Sequence, residues 1–247
     1  MLELKNAHEK FVNYLKELGR APATIVAYEK DIEQLVEHLY KLGINLINGV
    51  ETEHLESFMD KLSDRGYTNK TISRKTNSTK TFFRFLVDQN FINKDAAQDL
   101  EHPEVESKPP RILSRLEYGA LRDAARGDER TFAMIEVLLQ TGIRISELSK
   151  IKLEHVEIDK ENSQGNLFVP QRRKHQARNI PLNKAAVGAI VSYLEIKPEV
   201  ENSEHLFITK TGNPVLVRNI RATLNRYFDQ AGVQDATVND IRHTFIA

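Results

Sequence analysis

Arg144 and Arg242 each stand near the beginning of a helical stretch, and a strongly basic segment lies between them in the chain. Arg144 belongs to TGIRISELSKIKLEHVEI, residues 141–158, where Gly142 permits a sharp backbone turn after an apolar helix. At the start of the next helix, free backbone N–H groups and the dipole favour an anion. Glu147 falls on the same face and could hold the Arg144 guanidinium. Taken alone, the segment reads first as a corner between two helices with a local Arg–Glu pair. The segment IRHTF, residues 241–245, changes that reading, because it supplies a second arginine behind Thr237, a residue placed as a helix cap. Two such arginines and a basic hairpin make a phosphate clamp. The planar guanidinium fork bonds two phosphate oxygens and stays charged at any working pH. In phosphoryl transfer, negative charge develops on the non-bridging oxygens, where each preorganised donor contributes roughly 3–4 kcal/mol.

Charge is distributed as a polyanion ligand would require. The formal net charge of the 247 residues is zero, but binding depends on where the charges lie. From Arg65 to Val87 the chain carries Arg65, Lys70, Arg74, Lys75, Lys80 and Arg84 without an acid. Arg172, Arg173, Lys174 and Arg178 form a second block, and Lys210, Arg218, Arg221 and Arg226 a third. Acids gather elsewhere, at Asp99, Glu101, Glu104 and Glu106. There are no cysteines, which excludes a disulfide framework and a thiolate metal site. The scattered histidines give no metal-ligand pattern, and no Walker or dinucleotide motif is present. No run approaches the roughly 18 apolar residues of a membrane span, so a cytoplasmic location, with no membrane partner, is the expectation.

The elements that must position these groups are mainly helical. Leu4, Ala7, Phe11, Leu15 and Leu18 recur at helical spacing, and Gly19 stops that helix. A second helix follows Pro22, with Ile25, Tyr28, Ile32, Leu35, Leu39 and Leu42 on one stripe and Gly43 as its stop. A third carries Leu55, Phe58, Met59 and Leu62 and ends near Gly66. A fourth runs from about Thr68 to Gln89; its first half is basic and rich in Ser and Thr, so little of it should be core. Four helices with short loops predict a compact bundle over residues 1–100. Residues 101–112, EHPEVESKPPRI, hold Pro103, Pro109 and Pro110 and lack helical periodicity, which predicts an extended linker. Residues 113–247 predict a second domain. Ser114 and Glu117 fit a capping box, followed by a helix to Ala125, one from Glu129 to Gln140, a short one after Gly142, strands at Asn166–Pro170 and Arg178–Leu182 around a basic hairpin tip, and helices near Lys184–Ile196, Val217–Ala231 and from Thr237 onward.

With these motifs in order, the chain resembles the tyrosine recombinase (integrase) family over nearly its whole length. The resemblance rests on TISRKTNSTKTFFRFLVDQNFI in the fourth helix, the Pro-rich linker, TGIRISEL, NIPL after a basic hairpin, and IRHTF. It implies a helical core-binding (SAM-like) domain and an α+β catalytic domain that close around double-stranded DNA. The implied reaction is site-specific recombination through a 3′-phosphotyrosine link, with no cofactor, in a tetrameric synapse. Residue by residue, it implies that Arg144 and Arg242 are the two catalytic arginines, Glu147 a supporting acid and His243 a supporting position. It places a general-acid lysine in the hairpin, expected at Lys174, with Arg173 as the alternative. Arg178 matches a strand residue for which a solvated role or a phosphate-backbone contact is at least as open as a catalytic one. Asn239 stands where the family usually has histidine; asparagine donates a hydrogen bond but moves no proton near neutral pH. Expected DNA contacts are Lys70, Arg74, Lys75 and Lys80 on the fourth helix, then Arg172, Arg173, Arg218 and Arg221. The family's nucleophilic tyrosine follows the second arginine by a few tens of residues, and Tyr227 precedes it. The sequence is therefore expected to be a shortened form that binds DNA without cleaving it. A non-catalytic DNA-binding accessory derived from a recombinase is the alternative, and a helical adaptor for other proteins a third class.

Overall fold

The computed structural model describes residues 2–106, 109–171, 176–200 and 203–247. The chain divides into two compact units, residues 1–107 and 108–247; the boundary lies inside the stretch expected to be a linker.

In the first unit, α1 (Leu4–Glu17), α2 (Pro22–Lys41), α3 (Thr52–Asp64) and α4 (Asn69–Asp88) form the expected bundle. Leu4, Phe11, Leu15, Ile32, Leu35, Leu39, Leu55, Phe82, Phe83 and Leu86 are its buried centre. Thr68 caps α4, its hydroxyl accepting the Thr71 N–H at 3.4 Å. The unit is larger than expected, because Ile92, Ala96, Ala97 and Leu100 pack into the same core. The stretch after Leu100 also begins against α4: Asn69 donates to the Glu104 carbonyl oxygen at 2.8 Å, and the Ser73 hydroxyl pairs with His102 Nδ1 at 3.1 Å.

One expectation for α4 fails. Its basic, hydroxyl-rich first half is buried at Ile72, Lys75, Thr76, Ser78 and Thr79. Burial of Lys75, Thr76 and Ser78 is tolerable because each finds an acceptor. The acceptors include Asp31 of α2 and the helix's own carbonyls: Ser78 Oγ lies 2.8 Å from Asp31 Oδ2, and Thr76 Oγ1 lies 3.0 Å from the Ile72 oxygen.

The second unit is built around α6 (Glu129–Thr141), whose residues 133–139 are all buried. Around it lie α5 (Arg115–Ala125), α7 (Ile145–Leu148), α8 (Lys184–Ile196), α9 (Val217–Gln230) and α10 (Val238–Ile246). The capping box at the start of α5 is present: Ser114 Oγ accepts the Glu117 N–H at 3.2 Å, and Glu117 Oε2 accepts the Ser114 N–H at 2.8 Å. One antiparallel sheet, in the order β1 (Val156–Asp159), β2 (Gln164–Val169), β3 (Arg178–Leu182), flanks the helices. Strand β1 was not anticipated, and β2 begins two residues earlier than the sequence suggested. Register pairs Leu167 with Ile180 and Val169 with Arg178, so the hairpin mouth opens at Arg178. The fold is thus mainly α with a small sheet. Among the described residues, no helix is long and apolar enough to cross a membrane, and no group of side chains could hold a metal ion.

Candidate phosphate-binding site

The corner between α6 and α7 is shaped by Gly142, which ends α6 with φ 59°. A side chain in that left-handed region is strained, and a β-carbon there would overlap the ring of Phe245 on α10. The absence of a side chain lets α10 pack directly on the corner. From α10, Arg242 Nη1 donates to the Gly142 carbonyl oxygen. The two arginines expected to act together, Arg144 and Arg242, therefore sit at one corner of the fold.

Arg144 is the residue preceding α7, with extended backbone, and its N–H donates to Glu147 Oε2 at 2.8 Å. Since α7 is only four residues long, a helix dipole contributes little here, and the attraction for an anion comes from side chains. Glu147 does not serve mainly as the clamp for Arg144 that the sequence suggested. The Arg144 Nη1 atom lies 3.9 Å from Glu147 Oε1, whereas Arg178 makes a fork with both oxygens, Nη1 to Oε1 at 3.0 Å and Nη2 to Oε2 at 2.9 Å. Nothing local in the sequence signals that pairing, because the partners are 31 positions apart on different elements.

The carboxylate of Glu147 is buried, its side chain 6% exposed, while that of Arg144 is 40% exposed. Burial opposes ionisation of Glu147, but the Arg178 fork, the Arg144 N–H and the two positive charges outweigh it and hold its carboxyl below the ordinary range. Arg242 is pushed the other way: burial first, then the charges of Arg144 and Arg178, lower its hold on its proton, with Glu147 opposing. It remains a cation at any working pH. Three guanidinium groups thus lie near one acid, a surplus of positive charge that an anion would relieve.

The rest of α10 is tied down by Asp240. Its Oδ2 accepts the Thr237 N–H at 2.7 Å and the Thr237 hydroxyl at 2.8 Å, and its Oδ1 lies 3.2 Å from His243 Nδ1. Thr237 is the cap residue expected, although its hydroxyl donates to Asp240 instead of accepting a helix N–H. Asn239 is exposed one turn before Arg242, on the same face. The Thr244 hydroxyl, donating to the Asp240 carbonyl at 2.7 Å, also accepts the Leu113 N–H at 2.8 Å. Lys174, Arg172 and Arg173, which carry the hairpin expectations, lie outside the described residues; the strands that lead to them converge at Arg178 and Val169.

The expected DNA contacts separate into two kinds. Lys70 on α4 and Arg218 and Arg221 on α9 are exposed. Lys80 is partly buried and donates to the Gln98 carbonyl at 3.1 Å. Lys75 is the correction: its side chain is 4% exposed, and its ammonium is used by Asp31 Oδ1 at 2.8 Å and Gln34 Oε1 at 2.7 Å. A buried ammonium with both partners inside the bundle does not reach a duplex. Arg74, 46% exposed, is also held by Asp31. Asp31 itself was missed, although a carboxylate on the apolar stripe between Tyr28 and Leu35 was the available signal.

The phage integrase family matches residues 110–247, and its N-terminal SAM-like domain matches residues 9–90. This chain belongs to the phage integrase family of tyrosine recombinases. Among its relatives in that family, the tyrosine recombinase XerC of Staphylococcus carnosus is 29% identical, over 98% of this chain and 82% of that protein. A lambda integrase (75–356) dimer bound to a COC′ core site shares the fold, with TM-score 0.79, 16% identity and coverage of 99% of this chain and 88% of that one. A lambda integrase tetramer bound to a Holliday junction gives TM-score 0.79 and 17% identity, covering 99% and 72%. Members of the tyrosine recombinase family are site-specific DNA breaking–rejoining enzymes, and a surplus of guanidinium groups around one buried acid is in keeping with that chemistry.

Proposed function

We propose that this chain binds a duplex recombination site and that Arg144, Arg178 and Arg242 hold the scissile phosphodiester during strand exchange. The observation that carries the reading is the gathering of three guanidinium groups around the buried carboxylate of Glu147. In the exchange, a tyrosine oxygen attacks phosphorus, a 3′-phosphotyrosyl bond forms and the 5′ oxygen departs with a proton; a partner strand's 5′-hydroxyl then reverses the step. Bond energy is conserved, so no nucleotide cofactor is called for. Arg144 and Arg242 stabilise the charge that grows on the non-bridging oxygens. Glu147 orients Arg178 and limits how far the cations repel one another. Asn239 donates a hydrogen bond to the phosphate without moving a proton. His243, with Nδ1 engaged by Asp240, presents Nε2 to the same oxygens. Lys174 protonates the leaving 5′ oxygen, a task for which arginine is too weak an acid. Double-stranded DNA is the partner, a tetramer on two duplexes the working assembly, and the cytoplasm its place of work.

The alternative is a DNA-binding accessory without catalysis, favoured by Asn239 in place of the usual histidine. Labelled duplex DNA titrated at rising salt tests what both readings share. Each phosphate neutralised contributes a slope of roughly −0.9 in log affinity against log salt; binding that ignores salt refutes both and favours a protein adaptor. In a form that carries the family's nucleophilic tyrosine, a denaturant-resistant protein–DNA adduct on a nicked duplex then separates enzyme from accessory.

A further inference from the structure

Asp31 is 3% exposed, lies on α2 in the core of the first unit, and receives four hydrogen bonds from α4. Its Oδ1 accepts Arg74 Nη2 at 2.9 Å and Lys75 Nζ at 2.8 Å. Its Oδ2 accepts Arg74 Nη1 and the Ser78 hydroxyl, the latter at 2.8 Å. A carboxylate has about four acceptor positions, so this one is filled. Lys75 and Ser78 are buried and end their reach there, whereas Arg74 is 46% exposed.

The way Arg74 is held decides what it can still do. Asp31 takes one hydrogen from each Nη atom, the end of the fork. That leaves the side edge, Nε–H with the second hydrogen of Nη2, and among the described residues this edge meets no acceptor. Two parallel donors on a rigid plane match the O6 and N7 acceptors of guanine in the major groove. An arginine recruited only for phosphate would do better without a carboxylate offsetting its charge, as Lys70 is on the same exposed face. Arg74 has traded charge for direction. The surrounding surface suits a groove, since residues 65–87 contain no acid and Lys70, Arg74 and Asn77 are exposed along one side of α4.

We propose that Asp31 is a positioning residue that presents the side edge of Arg74 to one guanine of the target site, making this pair a determinant of sequence specificity. The inference rests on the DNA-binding reading above and adds to it which contact reads a base.

The test selects binders from a duplex library randomised over its central positions, followed by affinity measurements on the enriched sequence. Wild-type protein should enrich a guanine at one position per bound chain, and replacing it with 7-deazaguanine, which lacks N7, should weaken binding. Arg74→Lys keeps the charge but loses the fork; it should lose discrimination at that position by about five- to a hundredfold, keep the salt slope, and bind the deaza duplex and its parent equally. Asp31→Asn should blur the same position and no other, with helix content checked by circular dichroism. Arg74→Lys does not disturb the Lys75 pairing, so it decides the matter even where Asp31→Asn fails to fold. A guanine preference retained by Arg74→Lys, or a wild-type protein that binds in a salt-dependent way but enriches no guanine, overturns the inference and leaves DNA binding standing. Affinity indifferent to both sequence and salt removes the two readings together.

Discussion

Arg242 donates a hydrogen bond to the carbonyl oxygen of Gly142 across 100 positions of sequence. This contact depends on a bare backbone at the end of α6, where φ is positive and the Phe245 ring lies against the α-carbon. Gly142→Ala therefore combines backbone strain of about 1–3 kcal/mol with a steric clash that pushes α10 away. The expected result is a lower urea midpoint together with weaker DNA binding, and a stability change below about 0.5 kcal/mol would show that the corner yields more readily than its geometry implies.

The Arg144 side chain is 40% exposed, against 34% for Arg178, and makes only a 3.9 Å ion pair. Removing it costs little folding energy but withdraws a donor from the phosphate. In a form that carries the family's nucleophilic tyrosine, Arg144→Ala should keep sequence-specific binding and lose about 100- to 1000-fold in the rate of cutting a nicked suicide duplex. Cutting at the wild-type rate would move this arginine out of the site.

Glu147 gives the site a dependence on acid. Its carboxyl titrates below the ordinary glutamate value, so it contributes stability that is fully present above the unfolded pKa of about 4.3. That contribution is lost as pH falls from there through the depressed folded pKa. Glu147→Gln should be less stable than wild type at neutral pH, and the gap should close as the solution is acidified through that window. Thermal melts along a pH series measure both curves; a constant gap would mean that the charge of Glu147 contributes nothing.

Lys70 and Lys75 carry the same charge on the same helix and should behave as opposites. Lys70→Ala should reduce the salt slope of DNA binding by about one and leave the melting temperature unchanged. Lys75→Ala should leave the slope alone and destabilise the first unit by about 3–5 kcal/mol, since it breaks a buried ion pair. Chemical denaturation and anisotropy titrations on the two variants make the comparison.

Much of the helical framework could be read from periodicity, and the helix-ending glycines and the Ser114–Glu117 box marked several boundaries well. What escaped was nonlocal. The first half of α4 looked like surface because Ser, Thr and Lys normally stay wet, and only Asp31, on another helix, makes their burial tolerable. Arg178 looked like one basic residue among several, since the acid that fixes it belongs to α7. Strand β1 was hidden by brevity: Val156–Asp159 holds too few residues for alternation to show. Arg144 and Arg242 were legible because each stands in a distinctive local motif, and their convergence needed only the turn at Gly142.

The hydrogen bond from the Leu113 amide to the Thr244 side chain has a mechanical side. Leu113 is where the proline-rich stretch becomes the second unit, and Thr244 is two residues beyond Arg242. The first core residue of that unit is thereby fastened to the helix bearing the arginine by a single hydroxyl, so Thr244→Val would loosen α10 at the end away from its cap while leaving every guanidinium in place.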